Sequence, residues 1–118
     1  MKKPSRDFLF YLEDILAAIV KIQQYTAGVS IKQFEEDSMR QDAIIRNLEI
    51  IGEAAKHIPD HVKTAFPNVP WDDMYRLRNI FIHQYFGIDL TIVWRIVSFH
   101  LPTNKKDIEA VIAYYQNL

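Results

Sequence analysis

Phe8-Leu9-Phe10-Tyr11-Leu12-Glu13-Asp14-Ile15-Leu16-Ala17-Ala18-Ile19-Val20-Lys21-Ile22 decides the fold class, because its apolar residues recur every three or four positions. Phe8, Leu9, Leu12, Ile15, Leu16, Ile19 and Ile22 fall on one stripe of a helix of 3.6 residues per turn, where a strand would require strict alternation. Ser5 is placed to cap that helix at its start, and Gly28 is a natural C-terminal stop.

The same period continues along the chain. After a turn-rich connection, in which Ile31 to Phe34 suit one brief helical turn, Ser38-Met39-Arg40-Gln41 reads as a capping box. The second long helix begins there, carries Ile44, Ile45, Leu48, Ile51, Ala54 and Ala55 inward, and ends before Pro59. Asp60 caps a short helix through Phe66. Pro67-Asn68-Val69-Pro70 then breaks the pattern, and Pro70 pre-sets a third helix running from about Trp71 to Phe86 and stopping at Gly87. Asp89 caps a helix from Leu90 to Leu101, Pro102 interrupts it, and a last helix from Asn104 to Tyr115 directs Ile108, Val111, Ile112 and Tyr115 to the core.

No segment reads as a strand, so the expected architecture is all-α: a compact antiparallel bundle of five to six helices forming a single domain over residues 1–118. The long helices carry more apolar positions than one small bundle needs, which predicts a homodimer.

Composition narrows the function classes. Fourteen Lys and Arg against fifteen Asp and Glu leave a net charge of -1, so an anionic ligand must be met by a local basic patch. The absence of cysteine excludes disulfides, thiol nucleophiles and Cys-ligated zinc, and is compatible with a reducing compartment, so the cytoplasm is expected. Met1-Lys2-Lys3-Pro4 leads straight into a charged amphipathic run without the pattern of a signal peptide, and no apolar stretch approaches the ~20 residues of a membrane span.

The segment with chemical content is Arg76-Leu77-Arg78-Asn79-Ile80-Phe81-Ile82-His83-Gln84-Tyr85-Phe86-Gly87. Arg78 and Tyr85, seven residues apart, share one helical stripe, and Asn79 and His83, four apart, share another. Arg78 and His83 stand about 140° apart on a straight helix, so either the helix deforms or a partner chain completes the site. An always-charged fork for phosphate beside a histidine able to move protons is the minimum kit for metal-free RNA cleavage. In that reaction the 2′-hydroxyl attacks the adjacent phosphate; His83 assists proton transfer, Arg78 stabilises charge on phosphorus, and Asn79 orients by hydrogen bonding. The competing structural reading pairs Arg78 with an acid such as Glu49, Glu53 or Asp73, seats His83 in the interior and makes Tyr85 a packing aromatic. Spacing alone favours that second reading.

Arg78-Asn79-Ile80-Phe81-Ile82-His83-Gln84-Tyr85-Phe86-Gly87 resembles the Arg-xxxx-His-x-Tyr signature of HepT-like proteins, a branch of the HEPN superfamily. Ile44-Ile45-Arg46-Asn47-Leu48-Glu49-Ile50-Ile51-Gly52-Glu53-Ala54-Ala55 is similar to the second-helix block of the same branch, and the likeness runs from Asp7 through the last helix. The resemblance implies an all-helical dimer in which the motif helices of two subunits line one cleft, acting as a metal-independent endoribonuclease toxin on cellular RNA with no cofactor. Arg78 and His83 would be catalytic and Asn79 supporting. The cognate partner would be a minimal nucleotidyltransferase antitoxin that neutralises the toxin by transferring AMP to Tyr85. An alternative within the resemblance is a non-catalytic adaptor that binds nucleotide or substrate for that nucleotidyltransferase. A purely structural dimerisation bundle would instead pair Arg78 and His83 internally.

Other polar residues read more plainly. His57 and His61 have the spacing of a helical metal pair, but Pro59 between them should end the helix, so they are expected on the solvated surface. Glu49 and Glu53 share a face, yet no Glu-x-x-His follows, so no metal site is expected. Gly52 suits close helix packing better than a phosphate cradle, since no glycine-rich loop surrounds it. His100, beside Pro102, reads as a helix-end residue.

Overall fold

The computed structural model describes residues 7–80 and 87–118. Among them the chain is helical, with no strand: α1 Phe8–Thr26, α2 Ile31–Glu35, α3 Ser38–Lys56, α4 Asp60–Ala65, α5 Trp71–Arg76, α6 Leu90–Arg95 and α7 Leu101–Gln116. A 3₁₀ turn, Leu77–Asn79, extends α5, and a π-helical segment, Ile96–His100, joins α6 to α7. The all-α expectation holds. None of the described helices is long and apolar enough to cross a membrane.

The stripe read from the first helix is the core face. Leu12, Ile15, Ile19 and Ile22 of α1 are fully buried, together with Ile44, Leu48 and Ile51 of α3. α1 packs chiefly on α3 and α7, while α3 also receives α5 and its 3₁₀ turn. Phe34 from the short α2 is fully buried and packs against Trp94 of α6, with ring centroids 5.1 Å apart. Burying such side chains stabilises the fold by about 1.5–3 kcal/mol each, which is why a pattern of apolar residues suffices to specify the bundle.

Several boundaries differ from the sequence reading, each for a local reason. The second long helix is capped by Asp37, whose carboxylate accepts from the Arg40 backbone N–H at 3.0 Å; Ser38 is the first helical residue. The reciprocal capping box lies earlier, where the Ser30 hydroxyl accepts from the Gln33 N–H and the Gln33 side chain accepts from the Ser30 N–H. Gly28 ends α1 as expected, at φ 72°, a left-handed conformation that favours glycine. Ser5 and residues 81–86 of the expected third helix lie outside the described residues.

The α-helical part of the third helix stops at Arg76 and tightens into the 3₁₀ turn. Pro102 does not break the helical run, which is contiguous from Leu90 to Gln116. The Leu101 N–H reaches back five residues to the Ile96 carbonyl, and this widened turn lets Pro102, which has no N–H to donate, sit in the first turn of α7.

Candidate active site

Arg46, Glu49 and Glu53 of α3 and His57 at its C-cap, spaced three and four apart, form a polar stripe opposite Tyr11 and Asp14 of α1. With Arg78 from the 3₁₀ turn they line an open cleft of about 370 Å³. That is within the range of small-ligand sites.

Arg78 is fixed through its backbone first. A Cβ at Gly52 would stand 2.3 Å from the Arg78 nitrogen, 2.8 Å from its Cβ and 2.9 Å from its Cα, so only a glycine admits this approach. The expectation that Gly52 serves close packing is met, and what it packs against is the motif arginine. The side chain is then oriented from two sides. Nη1 donates to the Tyr75 hydroxyl at 3.0 Å, and the guanidinium carbon lies 5.4 Å from the centre of the Tyr75 ring. Nε lies 3.4 Å from Glu53 Oε2.

The structural reading of Arg78 is thus partly met, since Glu53 is its ion-pair partner. The pair is open, however, with side-chain exposures of 31% for Arg78 and 54% for Glu53. Such pairs contribute about 0–1 kcal/mol. Glu53 therefore orients the guanidinium while leaving it partly open to the cleft. The other oxygen of the same carboxylate is 3.7 Å from His57 Nε2, and the His57 ring stacks on Tyr11 at 4.7 Å and 18°. Glu49, on the same stripe, has its carboxyl pushed above the usual range by burial, an effect opposed by the nearby Arg46.

Asn79 ends the 3₁₀ turn, half-buried, and makes no side-chain hydrogen bond within the described residues. His83 and Tyr85 lie outside the described residues. His57 and His61 are both exposed, as expected, and do not converge: His61 meets Phe8 edge-on at 5.6 Å, while His57 faces the cleft. Among the described residues no group of three His, Asp or Glu side chains is arranged to hold a metal ion.

Residues 15–111 match the family profile described as "Ribonuclease HepT-like". This chain belongs to the HepT-like family. It is 43% identical over 107 residues to the Methanocaldococcus jannaschii protein named "Putative RNase MJ1380", a match covering 91% of this chain and 98% of that protein. It is 42% identical over 109 residues to "Probable ribonuclease HepT" of Thermococcus cleftensis, covering 92% of this chain and 96% of that protein. No solved structure matches.

In this HepT-like chain the sequence reading missed Tyr75 as the partner of Arg78. The signal was available, since residues three apart on one helical turn face each other. It also missed the cleft-facing placement of His57 and Tyr11, which no local pattern reveals because one caps α3 and the other belongs to α1.

Proposed function

We propose that this chain is a metal-independent endoribonuclease, the toxin of a toxin–antitoxin pair acting on cellular RNA in the cytoplasm. The observation that carries the reading is the presentation of Arg78: its backbone is seated on Gly52, its fork is held by Tyr75 and Glu53, and it lines an open cleft. The ribonuclease names borne by its relatives support RNA as the substrate.

In the proposed reaction the 2′-oxygen of a ribose bonds to the adjacent phosphorus while the bond from phosphorus to the 5′-oxygen breaks. His83 assists by moving a proton away from the attacking hydroxyl or onto the leaving oxygen, leaving a cyclic phosphate and a 5′-hydroxyl. Arg78 stabilises the charge on the phosphoryl oxygens and Asn79 orients a reacting group. A homodimer supplies the second set of motif residues to a shared groove, and exposed Phe10, Ile92 and Phe99 provide apolar surface for association.

Control comes from a cognate nucleotidyltransferase that transfers AMP from ATP to the Tyr85 hydroxyl with release of pyrophosphate. A phosphate placed there, seven residues from Arg78, competes with RNA for the guanidinium. RNA cleavage in excess EDTA by the wild type, Arg78→Ala and His83→Ala tests the chemistry. A real role predicts a loss of about 10²–10⁴-fold for His83→Ala with melting unchanged. Wild-type cleavage by His83→Ala, or abolition of wild-type cleavage by EDTA, refutes it. Incubation with the nucleotidyltransferase, ATP and Mg²⁺ should add one AMP to the wild type and none to Tyr85→Phe.

A further inference from the structure

We infer that the cleft between α1 and α3 is a nucleobase subsite for the nucleotide beside the phosphate held by Arg78, and that it selects guanine. This deepens the ribonuclease reading and rests on it for the identity of the ligand. Three features of the cleft converge on a base.

First, it offers a stacking surface. Tyr11 and His57 lie nearly parallel at 4.7 Å, and both rings line the cleft, so a base adds a third ring to an existing stack. His57 is not needed to fill the core, being 44% exposed at its side chain. Second, the cleft is continuous with Arg78, so a base lodged there hangs from a ribose whose phosphate meets the guanidinium.

Third, the wall carries carboxylates that no hydrogen bond or close ion pair occupies among the described residues, Glu49 feeling only the nearby charge of Arg46. Glu53 is engaged by Arg78 and His57, whereas Glu49 and Asp14 make no ion pair or side-chain hydrogen bond among the described residues. A carboxylate has two acceptor oxygens and no donor. Guanine alone presents two adjacent N–H donors on its Watson–Crick edge, matching such a fork in a bidentate pair. Uracil presents one N–H flanked by two carbonyls, which a carboxylate repels. Glu49 suits the role better than Asp14, because it is partly buried and its charged form is disfavoured by desolvation, a cost that two donors would relieve.

The test is equilibrium binding, by fluorescence anisotropy, of short 2′-O-methyl oligouridines that cannot be cleaved, with or without a single guanosine. The wild type should bind the guanosine-containing strand more tightly by roughly ten-fold or more, the discrimination expected of one bidentate pair. Glu49→Gln should bring that ratio close to one. Tyr11→Leu, which keeps bulk, and His57→Ala, at an exposed position, should weaken binding of the guanosine strand by at least about five-fold. Equal wild-type affinity for both strands, no measurable binding of either, or a ratio unchanged in Glu49→Gln overturns the subsite. These outcomes are separable from the catalytic reading: cleavage dependent on His83 with no base preference refutes the subsite alone, and base-selective binding with cleavage indifferent to His83 refutes the mechanism alone.

Discussion

Gly52→Ala should disable the site by direct contact of α3 with the Arg78 backbone. The new methyl carbon would lie 2.3 Å from the Arg78 nitrogen, whereas ordinary contact begins near 3.4 Å, so the 3₁₀ turn must move away from α3 by about 1 Å. Neither side can yield cheaply, since the clashing atoms are backbone and Cβ, not the end of a flexible chain. Overpacking of this kind costs about 1–3 kcal/mol, and the gain of roughly 1 kcal/mol from replacing a mid-helix glycine with alanine offsets only part of it. The net destabilisation is up to ~2 kcal/mol, a fall in melting temperature of up to about 8 °C. With Arg78 in its proposed role the effect on turnover is larger, because a 1 Å misplacement of a catalytic group can cost about 10²-fold. The assay is single-turnover RNA cleavage at saturating protein well below the melting transition. Ile108→Val serves as the control: it trims a fully buried side chain of α7 that does not line the cleft, costs about 0.5–1.5 kcal/mol and should cleave normally. Wild-type cleavage and melting in Gly52→Ala would refute the reasoning, and so would a loss of cleavage matched by Ile108→Val.

Two further outcomes follow from the cleft. Tyr75→Phe removes the hydroxyl that accepts from Arg78 while leaving the ring beside the guanidinium, so cleavage should fall roughly five-fold, the equivalent of ~1 kcal/mol, with melting unchanged; equal rates would show that the bond does not orient the arginine. Glu49 has its folded-state carboxyl raised by burial, so the native state holds the proton more tightly than the unfolded chain and stability declines as pH rises from about 4 towards the raised value. Glu49→Gln removes that decline, and its denaturation midpoint should gain on the wild type as pH rises from acid to neutral; a difference independent of pH would contradict the burial of Glu49.

What the sequence made legible was whatever local periodicity controls. The stripe from Phe8 to Ile22 became the buried face of α1, because spacing on one helix is set by backbone geometry alone. The caps were harder. Asp37 and Ser38 are adjacent and both competent, and Ser30-Ile31-Lys32-Gln33 carries the same Ser-x-x-Gln pattern as Ser38 to Gln41, so spacing could not say which one closes. The wide turn before Pro102 was invisible for a similar reason: a proline announces a missing donor, and the structure decides whether the helix breaks or rearranges its ladder around it.

Arg78 was legible as a candidate, but its geometry was not, and the reason lies in α3. A straight helix turns about 100° per residue, whereas Leu77–Asn79 is a 3₁₀ turn near about 120° per residue, and His83 lies outside the described residues. That tightening coincides with the closest approach to Gly52. Two consecutive residues of α3 thus act on one arginine, Gly52 by admitting its backbone and Glu53 by receiving its guanidinium. A glycine in the middle of a 19-residue helix weakens that helix by roughly 0.5–1 kcal/mol relative to alanine, and nothing within α3 itself compensates. The compensation is the long-range contact, which places a charged fork at the wall of the cleft. The Ile51-Gly52-Glu53-Ala54 block therefore belongs to the site as much as Arg78 does, and no reading confined to either segment could have joined them.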